Sequence, residues 1–133
     1  MKAVYPIVLS PGQKYVVVYI PDFNINTQGA DMVDAMEMAR DAIGLVGINM
    51  EDDRAAIPQP TPMADIATQG ENDIVTLVDV DFTEYRRQND LRSIKKNCTV
   101  PAWLSYRAET AGLNFSAVLQ DGLKKALQLD GSA

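Results

Sequence analysis

The sequence predicts an α+β protein in two parts, a β-β-β-α-β module over residues 1–86 and a strand-helix-helix module over residues 87–133. Three observations predict it. Two apolar, β-branched runs separated by turn residues open the chain, and the apolar period lengthens from two to between three and four at Asp31. The charge then changes sign near Arg86: residues 1–85 carry four Lys/Arg against fourteen Asp/Glu, a net of -10, and residues 86–133 carry eight against four, a net of +4. Such asymmetry suggests that one half meets a polyanion and the other a basic partner.

Residues 3–9 (AVYPIVL) and 14–20 (KYVVVYI) read as a hairpin closed by Ser10-Pro11-Gly12-Gln13. Pro21-Asp22 stops the second strand, and Phe23 to Gln28 reads as a brief third strand before Gly29. From Asp31, Met32, Ala35 or Met36, Ala39, Ala42 or Ile43, and Val46 form the apolar side of an amphipathic helix, with Asp34, Glu37 and Asp41 on the other side. Asp31 is its N-cap, Asp34 supports the positive end, and Gly47 is the expected stop. Pro58, Pro60 and Pro62 make a connector in which Thr61-Pro62 can cap a single helical turn. Residues 73–82 (DIVTLVDVDF) return to strand alternation, with Val78 and Val80 on one face and Asp79 and Asp81 on the other. Thr83 to Arg92 is polar and charged.

Lys95 to Val100 reads as a strand ended by Pro101, Pro101 to about Ala111 as a helix broken by Gly112, and Asn114 as the N-cap of a second helix. That helix carries Val118, Leu119, Leu123, Ala126 and Leu127 as its apolar stripe. A module of roughly 40 residues cannot bury such stripes alone and needs a partner.

Composition narrows the function. With 47% apolar and 23% charged residues the chain can build a core, which argues against disorder and coiled coil. The longest apolar runs, such as Val16 to Ile20, fall far below the roughly 18 residues of a membrane span. Pro6 interrupts the start before a signal-peptide core can develop, so a cytoplasmic protein without membrane contact is expected. Cys98 is the only cysteine, read as structural, and the chain has no histidine. The commonest general base and the commonest transition-metal ligand are therefore missing, and no cofactor, metal or catalytic residue is expected.

The stretch KKNCTVPAWLSYRAETAGLNFSAVLQDGLKKAL resembles the ribbon-helix-helix family of DNA-binding proteins. The resemblance implies a homodimer whose paired strands enter the major groove above a four-helix core. Alternation along the strand would turn Cys98, Val100 and the stem of Lys96 to the helices and Lys95, Asn97 and Thr99 to the bases. Those three side chains suit base edges: Lys donates to guanine, Asn pairs with adenine, and Thr offers a hydroxyl and a methyl. Asn114 and Ser116, at the start of the second helix, would receive a phosphate on free backbone N–H groups, with Phe115 where many relatives carry an arginine. With the opening strands, YIPDF, DAMEMARDAI and the proline connector, the whole chain is similar to the HicB antitoxin family. The likeness implies a partial RNase H-like first module, binding and inhibition of a HicA-type ribonuclease toxin, repression of its own operon through operator DNA, and a homodimer that in the family often assembles further.

Two other functions compete on the residues. A metal-dependent nuclease could use Asp22, Asp79 and Asp81, but the first and third strands contribute no carboxylate. A stand-alone ribbon-helix-helix regulator, with a first module that senses a ligand or protein, fits the same pattern.

Overall fold

Strand β1 (Lys2–Pro11) is the spine of a four-stranded antiparallel sheet in the order β3-β2-β1-β4, with β2 Val16–Ile20, β3 Ile25–Gly29 and β4 Ile74–Asp81. The computed structural model describes residues 1–68 and 70–129. Register places Leu9 opposite Val18 on one side and Ile74 on the other, while Tyr5 faces Val78. β2 pairs with β1 only over Val8–Pro11, so Pro6, which has no N–H to give, lies where β1 has a single neighbour.

Alternation puts Tyr5, Ile7, Leu9, Val18, Ile20, Val78 and Val80 on one face, and helix α1 (Met32–Asp52) covers it with Ala35, Ala39 and Ile43. Its start is as expected. The Asp31 carboxylate accepts from the Asp34 N–H at 2.8 Å, and Asp34 accepts in return from the Ala30 N–H at 2.7 Å. Its end is not. α1 runs on through Gly47, which is buried against Phe82, and an added Cβ there would collide with the Phe82 ring. Gly47 is small to admit a neighbour rather than to end the helix. The stop lies at Arg54, in the left-handed region at φ 59°, where the Arg54 and Ala55 N–H groups bond to the carbonyls of Glu51 and Met50.

Three further expectations are corrected. The third strand begins at Ile25, because residues 21–24 form a turn in which Asn24 has φ 51° and the Phe23 ring stands edge-on to Tyr5, centroids 4.9 Å apart. Thr83 to Arg92, expected only to be polar and charged, holds most of helix α2 (Phe82–Gln88), which takes Phe82 from the expected strand and packs its Phe82 and Tyr85 rings on Gly47 and Gly44 of α1. Residues 95–100 form no strand. They belong to an irregular, exposed run from residue 89 to 101, since a ladder needs a neighbouring strand and one chain supplies none.

The connector is tied down by polar contacts. Tyr5 Oη donates to the Pro58 carbonyl at 2.8 Å, Thr61 donates from both N–H and Oγ1 to Asp22, and Pro62 opens a short 3₁₀ turn, Met63–Asp65. The chain divides into two compact units, residues 1–92 and residue 93 onward. The first extends past residue 86 because α2 belongs to it.

In the second unit, α3 (Ala102–Thr110) and α4 (Phe115–Ala126) are joined through Gly112 at φ 70°. Neither helix has a buried residue among those described.

Candidate nucleic-acid interface

Lys95, Asn97 and Thr99 lie on one exposed run of chain that leads through Pro101 into α3. None of the three side chains takes part in a hydrogen bond or ion pair among the described residues, so their donors and acceptors are open to a ligand. Pro101 fixes the entry to the helix, and its carbonyl accepts from the N–H groups of Leu104 and Ser105, both at 3.0 Å. At the start of α4, the Asn114 side chain accepts from the Ala117 N–H at 3.1 Å and its carbonyl accepts from Val118. The Asn114 side chain is thus spent on the cap. The N–H groups of Phe115 and Ser116, in the exposed first turn, have no intrahelical acceptor and remain for an anion. The structure therefore places all five sequence-derived residues in one unit, on two exposed segments.

The apolar surface beside them is as exposed. Trp103, Val118 and Leu123 are 62%, 53% and 52% exposed, and Leu119 and Phe115 are also open. Cys98 is exposed as well, so in a single chain it is not a core residue.

The three carboxylates considered for metal chemistry each have a structural task in the first unit. Asp22 holds Thr61, as above. Asp79 accepts from Arg40, whose Nη2 lies 3.1 Å from its Oδ1 and whose Nε donates to its carbonyl at 2.9 Å on this edge strand. Asp81 caps α2, accepting from the Glu84 N–H at 3.2 Å. The sequence reading missed this cap, although its signal, Asp81 followed three residues later by Glu84, was present. No group of three or more potential metal ligands gathers among the described residues. The Tyr85 hydroxyl, which burial and the bond it donates to Asp41 push up to about 12, serves to fasten α2 to α1.

The chain thus joins a sheet-and-helix unit with its own core to a helical unit whose two helices bury no residue among those described. The chain belongs to the HicB-like antitoxins of bacterial toxin-antitoxin systems: the family model "HicB_like antitoxin of bacterial toxin-antitoxin system" matches residues 5–120. The family is regulatory and non-enzymatic. Among solved structures, the chain is similar to one in a toxin-antitoxin complex from Streptococcus pneumoniae, with 24% identity, TM-score 0.59, and 95% of this chain and 99% of that one covered. It is also similar to the antitoxin HicB of Burkholderia pseudomallei, with 19% identity, TM-score 0.50, and 94% and 96% covered. At these identities the likeness is one of fold. No curated protein matches the chain. No helix among the described residues is long and apolar enough to cross a membrane.

Proposed function

We propose that this antitoxin binds and inhibits a HicA-type ribonuclease toxin through its first module, which we read as a partial RNase H-like fold. As a homodimer, it represses its own operon by binding operator DNA through its second, a ribbon-helix-helix module, in the cytoplasm. Paired strands from two chains present Lys95, Asn97 and Thr99 to base edges, and the first turn of α4, at Asn114 and Ser116, receives a backbone phosphate.

The observation that carries the reading is the second unit's lack of a buried core. Its apolar stripes include Leu104, Val118, Leu119 and Leu123, all exposed in one chain. Burying a Leu or Val side chain contributes about 1.5–3 kcal/mol, so several such residues on two short helices favour pairing with a second copy. The net charge of -10 over residues 1–85 suits a basic toxin, because complementary fields speed encounter and select partners.

Two experiments test it. Co-purification with the product of the neighbouring reading frame should yield a stable complex with a small basic protein. In gel shifts at matched salt, Asn97→Ala should cost about 1–3 kcal/mol of specific operator binding and leave thermal stability and toxin binding unchanged. Wild-type affinity in that variant would remove the base-reading assignment.

A further inference from the structure

Residues 86–96 hold five cations, Arg86, Arg87, Arg92, Lys95 and Lys96, and one carboxylate, Asp90. The structure sorts the cations into two kinds. Arg86 is engaged within the first unit: its Nη1 lies 3.0 Å from Asp52 Oδ1 and its Nη2 donates to the Ile48 carbonyl at 3.3 Å. Arg92 forks onto Asp90, with Nη2 2.7 Å from Oδ2 and Nε 3.0 Å from Oδ1, and its own N–H donates to the same carboxylate. Arg87, Lys95 and Lys96 are exposed and take part in no hydrogen bond or ion pair among the described residues.

We infer that Arg87 and Lys96 each contact backbone phosphate, in addition to the base-reading side chains, and that Arg86 and Arg92 do not. This rests on the DNA-binding reading above. An ion-paired arginine presents a neutral pair, so its approach to a phosphate releases no net counterion, whereas an unpaired cation replaces one. Lys96 adjoins the base readers in sequence, and its long stem lets the ammonium reach past an inward-facing position. Upstream of residue 86 the chain is strongly acidic, so Arg87 is the first free cation of the basic stretch.

The test is salt-dependent binding of the full-length protein to operator and scrambled duplexes of equal length. Arg87→Ala and Lys96→Ala should each weaken binding to both duplexes several-fold at low salt. Each should make the plot of log affinity against log salt shallower by about 1 for every phosphate the protein ceases to neutralise, or about 2 per dimer. Arg86→Ala and Arg92→Ala should keep the wild-type slope. Toxin binding and melting temperature of the Arg87 and Lys96 variants should match wild type. An unchanged slope in Arg87→Ala and Lys96→Ala, an equal weakening in Arg92→Ala, or loss of toxin binding in place of DNA binding would overturn the assignment while leaving operator binding intact. Absence of duplex binding by the wild-type protein would overturn the DNA-binding reading itself and this inference with it.

Discussion

Residues 1–92 and residues 93–129 both carry regular apolar patterns, yet they treat them differently. All thirteen buried hydrophobic side chains among the described residues lie in the first unit, from Tyr5 to Phe82. In the second, Trp103, Val118, Leu123 and Leu127 are more than half exposed. The reason is geometric: a four-stranded sheet offers one helix a broad face to cover, whereas two short helices joined at Gly112 enclose nothing by themselves. A unit built this way can be completed by another chain, and its stability then depends on protein concentration. The first unit gains its stability within one chain.

A charge placed in the second unit's apolar stripe should separate the two units most strongly. Leu123→Asp should abolish dimerisation and operator binding together, while the melting transition of the first unit, followed through its tyrosines, stays where it is. A shared loss would show that the units fold as one.

Within the first unit the large effects concentrate where α2 meets α1. Phe82 is 1% exposed, so Phe82→Ala should destabilise by about 3–5 kcal/mol in chemical denaturation. Gly47→Ala should cost about 1–3 kcal/mol by overpacking against that ring. The two should be strongly non-additive, since removing the ring makes room for the methyl group; simple additivity would mean that this packing does not set the cost. Neither should affect oligomeric state.

A smaller effect of opposite sign is expected at Arg54. An L side chain in the left-handed region carries strain that glycine avoids, so Arg54→Gly should stabilise by about 0.5–1 kcal/mol. A loss of stability would indicate that the side chain compensates through contacts of its own.

The same positions explain what could be read from the sequence and what could not. Asp31, Pro101, Gly112 and Asn114 mark helix boundaries through backbone chemistry local to each residue, and all four lie where the sequence places them. The end of α1 was misplaced because glycine has two uses. Gly47 serves close packing against a ring 35 positions later in the chain, and the left-handed stop falls on an arginine that carries no such signal. Helix α2 escaped notice because its inward face is only Phe82 and Tyr85, too few for a period, although its capping pattern was legible. The expected strand over residues 95–100 has no partner in one chain, so its alternation is visible in the sequence but no ladder forms there. For the five candidate interface residues, one chain gives exposure and connectivity, and the proposed approach to DNA calls for a second.

Whether the second unit is completed by another chain can be read from sedimentation equilibrium of the full-length protein at micromolar concentration. The protein should sediment as at least a dimer that dissociates on dilution and that Leu123→Asp converts to monomer. A wild-type protein that sediments as a well-folded monomer, with its second unit still helical, would contradict this.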